Sequence, residues 1–579
     1  MDTVVNFGEK QVFEGVSTYT CLVFLDEDVT EVDYLAISDL EGFANRKPDS
    51  EVGERQMYDL DNLGDKWNFF TGETAAVMNK LSGKTVLDDA SERIFKGLDT
   101  GMADFYAVEK RDEHRDTFTV FSEQAETEIE IEKELLKPLL KGKDIESYTA
   151  EYQDRLLFFP YKTHSNGYEL MSESTIESNF PKAHNYLKQH ESELRQRQNG
   201  AYDDDEWYRF TNPRNLHHYD KNKICSPYNS FSPAFIFDTD DFHFTTGFAG
   251  AYGTILEENS PDFYRAVVAI LNSTLTQFFM EQTSTPMQGN YFSYEKRFIK
   301  NIPLPIKDYS TAEEQRKSLA TPLIRDIDTL MSNQNSEIDI RETVENIHER
   351  AKNIEGVYYA LSHLCSKTTE IKNERQHLNL DLLDYLGTYE NGECLKEVSG
   401  YQPPSGIADS ILSETSESRE NLRIGDVEIQ EKKSKIRILA TARYKPENPD
   451  DHTTDRWGYT ETDYLPVMDF VGLDNIRRNL ISEFVPRAIE KGDGFADFRE
   501  TATKTNSLVD RLGKLMLPKV SEVESGLKQY IQTKQRDTEL SSQLDSANAT
   551  IDKIVYTLYG LDDEDVETVE SSLIYDRGK

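Results

Sequence analysis

Residues 288–305 read Gln-Gly-Asn-Tyr-Phe-Ser-Tyr-Glu-Lys-Arg-Phe-Ile-Lys-Asn-Ile-Pro-Leu-Pro. The run interleaves aromatic rings with Lys296, Arg297 and Lys300. Pro303 and Pro305 then end whatever element precedes them, because proline lacks an N–H and restricts the residue before it. Basic side chains bind phosphate, and aromatic faces stack on bases and sugars. The chain carries 65 Lys plus Arg against 106 Asp plus Glu, a formal net charge of −41. In so acidic a protein this run predicts a binding surface.

Working outward, 579 residues are enough for three or four domains. The chain has 29 Phe and 30 Tyr, which argues against disorder. The acidic excess fits a partner mimic, a disordered tail, or a protein adapted to concentrated salt. It is spread along the whole chain, which favours salt adaptation. Cys21, Cys225, Cys365 and Cys394 lie far apart and form no metal-ligand spacing, so reduced structural thiols are expected. No signal pattern and no membrane-length apolar run is present, which predicts a soluble, cytoplasmic protein with no membrane association.

The periodicity predicts an α+β chain. Residues 3–7 and 19–25 read as strands, the second almost wholly apolar and therefore expected to be buried on both faces. They look like the end of a sheet whose other strands are missing. Residues 31–90 read as a connector, with a short helix over 74–81. Residues 91–108 read as strand, glycine turn, strand; 115–131 alternate; 134–148 read as a short helix and turn; 156–161 as a strand. A helix is predicted over 180–197, strands over 223–226, 234–238 and 242–246, and an amphipathic helix over 262–281. Residues 311–398 turn helical. Residues 399–420 read as a linker, and 427–444 as a small β unit within 399–470. Residues 471–579 are again helical, with Leu540, Leu544, Ala547, Ile551, Ile554 and Leu558 spaced as a coiled-coil or helix-hairpin seam. Gly560 is placed as a C-cap and Asp562 as the start of a last helix.

Catalytic signatures are absent from the sequence. There is no GxGxxG or GxxxxGK[ST] loop and no GxSxG elbow. His217, His218 and His243 lack companions at metal-ligand spacing. Asp203, Asp204, Asp205 and Glu206 read as a solvated loop, and Glu431 with Lys433 as a chance pairing. What remains is a binding constellation. Residues 131–230 hold 14 Lys plus Arg and 16 Asp plus Glu, a balance of 14 − 16 = −2. Within them lie Lys141, Lys143, Arg209, Arg214, Asn215, Lys223 and Asn229. Lysine serves phosphates, arginine forks to guanine, and asparagine pairs with adenine. The bland reading of the same window is a neutral buried interface.

Seven segments stand in order: Gly97-Leu98-Asp99-Thr100-Gly101 with Asp104-Phe105; Leu139-Leu140-Lys141-Gly142-Lys143-Asp144-Ile145; Leu157-Phe158-Phe159-Pro160-Tyr161; the helix predicted over Pro181–Arg197 with Trp207-Tyr208; Lys223-Ile224; Ile270-Leu271-Asn272-Ser273; and Tyr294 through Pro305. Together they resemble the C-terminal target-recognition region of TaqI-like adenine DNA methyltransferases, including the fused type IIG restriction-modification enzymes. Residues 551–561 look like the family's C-terminal ending. The resemblance covers about 90–310 and the last ~30 residues; residues 400–470 have no counterpart in it.

The resemblance implies a mixed, β-rich recognition domain over 91–310, followed by a long-helix, coiled-coil-like region with a small β insertion. Residues 1–30 would be closing strands of a methyltransferase-type sheet. The family's S-adenosylmethionine loop and Asn-Pro-Pro-Tyr motif do not occur here, so no catalytic, cofactor or metal residue is assigned. The implied function is DNA target recognition for an adenine-specific methyltransferase, a restriction-modification system or a related anti-phage system. A separate methyltransferase chain would bind S-adenosylmethionine, and double-stranded DNA would be the ligand. The alternatives are a truncated, inactive methyltransferase and an acidic helical scaffold. Lys141, Lys143, Arg209, Arg214, Lys223, Lys296, Arg297 and Lys300 are expected to position the backbone, and Asn215 and Asn229 to read base edges.

Overall fold

The structure is a computed structural model. It describes residues 2–305 except 9, 14–19, 27–28, 61–68, 248–249 and 288; residues 320–329 except 326; and residues 354–573 except 416–418, 420, 433–434 and 492–505. Most of 311–353, Lys433 and the start of the strand predicted at 19–25 therefore lie outside the described residues. The fold is α+β. The chain divides into two compact units, one of residues 1–374 with 542–579, the other of residues 375–541. No helix among the described residues is long and apolar enough to cross a membrane.

The first unit opens with a four-stranded sheet in the order Cys21–Phe24, Thr3–Asn6, Glu31–Ile37, Gly53–Asp59. Thr3–Asn6 runs parallel to Glu31–Ile37, and the other pairings are antiparallel. Two expectations change here. Residues 31–59 are not a connector, since they supply half of this sheet. Cys21–Phe24 is not buried on both faces: it is the sheet edge, with Phe24 52% and Leu25 80% exposed.

Next comes a six-stranded sheet ordered His243–Phe244, Leu136–Leu140, Arg155–Phe158, Ala107–Glu113, Thr117–Ser122, Thr127–Glu132. Residues 136–140, read as helix and turn, form an extended strand. Pro138 sits in it between antiparallel Arg155–Phe158 and parallel His243–Phe244. The helix predicted over 180–197 is two helices, Pro181–Gln189 and Glu191–Gly200, broken at His190. Tyr186 and Leu194 of these helices share a core with Phe105, Phe158 and Trp207.

A third sheet, ordered Ile236–Asp238, Lys223–Pro227, Ala251–Leu256, Ser91–Lys96, has apolar cores on both faces. Because strand side chains alternate, Phe95 and Cys225 join the core of the six-stranded sheet, and Ile94 and Ile224 face the other way. That second core is filled by the helices Pro261–Leu271 and Thr274–Thr283. The predicted single helix over 262–281 breaks at Asn272, whose side-chain amide bonds both the N–H and the carbonyl of Phe235. Ala547, Ile551 and Ile554, from the predicted seam, pack into the same core. Gly560 has φ +71 and follows the helix end, and Asp562 caps the helix Asp563–Ser571, as expected.

The second unit has its own core. A five-stranded sheet pairs Arg423–Lys432 with Lys435–Tyr444, which also pairs with Leu465–Val471 and Thr460–Glu461; Tyr401–Gln402 joins at one end. The helix Asn475–Lys491 packs Phe484 and Val485 into the core of this sheet. Asn391–Cys394 pairs with Met516–Pro518, closing the unit across its sequence. The stretch read as a linker is thus built in: Tyr401 pairs with Phe470, and Leu412 is fully buried.

Candidate nucleic-acid interface

Among the described residues, Ser91–Lys96 pairs on one side only, with Ala251–Leu256, so it is a sheet edge. Sheet edges present unpaired backbone groups and attract lysine. Here the Lys296 ammonium donates to the Ile94 carbonyl at 3.2 Å. Exposed Arg93 donates to the Asn215 side-chain oxygen at 3.2 Å. Exposed Lys96 lies 4.9 Å from the centre of the Tyr228 ring. Lys221 donates to Glu92 at 2.6 Å. Asn229 pairs with Ser293 next to that ring, and Tyr294 N–H donates to the Tyr228 carbonyl. Five sequence segments, around 93, 215–221, 228, 252 and 296, therefore meet along one edge strand.

Of the predicted residues, Asn215, Asn229 and Lys296 belong to this convergence. Asn215 has φ +67, a left-handed conformation that asparagine tolerates, and this turns its side chain to Arg93. Arg214, its neighbour, is exposed. Arg297 is exposed and pairs with Glu295 at 3.0 Å. Lys300 is partly exposed, and its carbonyl accepts from Asp88 N–H.

Three predicted residues stand elsewhere. Arg209 pairs with Asp204 at 2.6 Å and stacks on Tyr202, so half of that acidic loop serves arginines; Arg195 pairs with Asp203. Lys141 and Lys143 flank a turn held by the buried Asp144, which accepts from Lys141 N–H at 3.0 Å and from Arg155 at 2.5 Å. Lys143 points outward. Lys141 lines a cavity of about 230 Å³ with Asp99, Gly101, Asp104 and Arg155.

Lys223 must be removed from the set. It is 0% exposed, pairs with Asp238 at 2.5 Å and donates to the Tyr219 carbonyl. Its strand is covered on both faces, so the ammonium cannot reach a duplex. Arg93, Lys96 and Lys221 were missed. Their only sequence signal was a basic residue in or beside an alternating strand, and what raises them above that is the long-range pairing of 91–96 with 251–256.

At the two histidines the neighbouring cations outweigh the Glu92 carboxylate. Burial, followed by His217, Lys221 and Arg93, holds His218 down at about 4. His217 is lowered as well, by burial and then by Lys221 and Arg93. Lys221 beside Glu92 keeps that carboxyl below its ordinary range. Both imidazoles are therefore neutral near pH 7, and the standing charges are Arg93, Lys96, Lys221 and Lys296, with the Glu92 carboxylate against Lys221. Such an edge can hold phosphate through its cations and offer amide groups to base edges. Among the described residues no cluster of His, Cys, Asp and Glu is arranged to hold a metal ion.

Residues 137–304 match the family of TaqI-like C-terminal specificity domains. The motif resemblance thus holds over that span. The type II restriction enzyme and methyltransferase RM.Eco57I of Escherichia coli is 22% identical over 347 residues, 54% of this chain and 33% of that protein. The type II methyltransferase M.BstVI of Geobacillus stearothermophilus is 22% identical over 291 residues, 49% of this chain and 46% of that protein. The chain spans between a third and about half of the length of these curated relatives. Among solved structures, the S subunit of a type I restriction-modification system from M. genitalium aligns over 58% of this chain and 83% of its own, at 12% identity and a TM-score of 0.26.

Proposed function

We propose that this chain selects a site on double-stranded DNA for an adenine-specific methyltransferase within a restriction-modification or related anti-phage system. The observation that carries this reading is the specificity-domain match over 137–304. The cationic edge strand supports it: Arg93, Lys96, Asn215 and Lys296 converge in a protein of net charge −41. A patch of this kind lifts repulsion locally and lets a polyanion approach. Arg93, Lys96, Lys221 and Lys296 would hold phosphates, with Lys141, Lys143, Arg209, Arg214, Arg297 and Lys300 as outlying contacts. Asn215 and Asn229 would address base edges. Methyl transfer would belong to a second, catalytic chain, which would bind S-adenosylmethionine and extrude the adenine. The setting would be the cytoplasm of a salt-adapted cell. Counterion release weakens phosphate contacts in strong salt, so discrimination there would lean on base contacts and shape.

The test is selection of bound duplexes from a randomised library by the purified chain. One short motif is expected to enrich, and the variant Lys96→Gln/Lys296→Gln should lose binding without changing that motif. Asn215→Ala should relax one position of it. If no sequence enriches, with or without a catalytic chain, the reading is wrong. Methyl transfer to adenine by this chain alone would also overturn it.

A further inference from the structure

The 375–541 unit holds a group of cations that surface solvation does not explain. Arg423 and Arg443 are direct partners in the antiparallel pairing of Arg423–Lys432 with Lys435–Tyr444. Like charges placed opposite each other weaken a sheet. Both guanidinium groups, with Lys445, surround one ring: Tyr459 lies 4.5 Å from Arg423, 5.2 Å from Arg443 and 5.5 Å from Lys445. Arg443 pairs with Asp455 and has Glu461 at 3.9 Å. Among the described residues Arg423, Lys445 and Arg456 form no direct ion pair; Asp455, which Arg443 holds, feels Arg423 only at longer range. Carboxylates outnumber cations 106 to 65 in this chain, so cations without a direct ion pair here need a cause.

The turn beside them supplies a second, independent observation. One Asp455 carboxylate oxygen accepts from the N–H groups of Trp457 and Tyr459, both at 2.9 Å. Asp455 N–H donates to the Tyr459 carbonyl, and Gly458 N–H to the Asp455 carbonyl. Gly458 has φ +81, which glycine adopts without strain. This fixed turn lifts Arg456 and Trp457 to its tip. Trp457 is 59% exposed, and the Arg456 guanidinium lies 3.9 Å from its ring centre. By contrast Trp207 is fully buried. A tryptophan carried on a hydrogen-bonded turn costs less backbone freedom on contact with a flat partner.

We infer that this tip and its cationic base form a second nucleic-acid contact, outside the specificity region. Trp457 stacks on a base or sugar, and Arg423, Lys445 and Arg456 hold the adjoining phosphates. Both halves of the feature fit this ligand. Phosphates satisfy cations that the chain leaves without a direct ion pair, and bases offer planar faces to the exposed indole. An acidic peptide would answer the charges only.

The experiment uses the full chain and labelled random-sequence DNA, single-stranded and duplex, titrated across a range of KCl. Trp457→Ala is expected to lower affinity about tenfold for at least one of the two probes, and Trp457→Phe much less. Arg423→Gln/Lys445→Gln should reduce the slope of log K against log salt by about 2. DNA should quench tryptophan fluorescence in the wild type but not in Trp457→Phe. That quench should persist in Lys96→Gln/Lys296→Gln, which separates this contact from the specificity region. Wild-type affinity and slope in these variants would overturn the inference. So would equal quenching by polyglutamate, which would mark an acidic-protein surface. Trp457→Phe is a conservative change at an exposed side chain, so the loss of quenching in it decides the matter even if Arg423→Gln/Lys445→Gln folds poorly.

Discussion

Lys223 Nζ lies 2.5 Å from the Asp238 carboxylate, with the two side chains 0% and 1% exposed. They are register partners in adjacent strands. Asp238 also accepts from the N–H groups of Asp240 and Phe242, and Lys223 donates to the Tyr219 carbonyl. Such a pair is stabilised only while both members are present, because either charge alone would be stranded in an apolar site. Lys223→Met should cost about 3–5 kcal/mol in urea unfolding. Lys223→Met/Asp238→Leu should recover much of that loss. DNA affinity of the folded protein should not change in either.

Acid should loosen the first unit through His218. Its folded pKa, about 4, lies below the usual histidine value of about 6.5, mainly because burial disfavours the imidazolium. The unfolded chain therefore binds the extra proton first. The stabilisation is complete above pH ~6.5 and is lost as pH falls toward ~4. His218→Phe keeps a ring against Phe95 and removes the titration. Thermal melts should show the wild type falling away faster than this variant over that window, by close to one proton's worth of slope. Equal slopes would exclude His218 as the group.

Gly101 has φ +73, and a Cβ there would drive into the Thr211 hydroxyl. Its N–H is held by the Asp99 carboxylate at 3.0 Å, and Asp99 bridges to Asn212. Gly101→Ala should destabilise the fold by about 1–3 kcal/mol, from strain in the left-handed region plus the clash. Differential scanning calorimetry would register this as a lower transition temperature. A stability equal to the wild type would mean that the loop relaxes freely.

Salt should raise stability. Carboxylates exceed cations by 41, and their mutual repulsion weakens as ions screen it. Raising KCl from about 0.2 M to about 2 M, where screening shortens to a few ångströms, should lift the melting temperature by several degrees. A flat or falling curve would remove the salt-adapted reading of the composition.

Much of the secondary structure was legible because its signal is local. Leu544, Ala547, Ile551 and Ile554 stand at helical spacing, and all four are buried in a helix. The alternation over 117–131 became the hairpin Thr117–Ser122 with Thr127–Glu132. The misreadings share one cause. Residues 136–140 are extended because strands on both sides bind them, and those partners come from 155–158 and 243–244. Residues 31–59, read as connector, are strands because Glu31–Ile37 pairs with Thr3–Asn6 on one side and Gly53–Asp59 on the other. The apolar strand Cys21–Phe24 read as interior, yet it occupies an edge.

The candidate site divides in the same way. Short motifs in fixed order were enough to announce a TaqI-like specificity region, since each motif is a few adjacent residues whose identity survives without any fold. Which lysines face solvent was not decidable at that level. Lys96 and Lys223 are both strand lysines, one lying over Tyr228 at an edge and the other sealed beside Asp238. Periodicity is imposed by the geometry of the backbone and is written in near neighbours. Burial and convergence arise from contacts between strands and loops that are distant in sequence, Lys96 and Tyr228 among them, and only the folded chain brings those together.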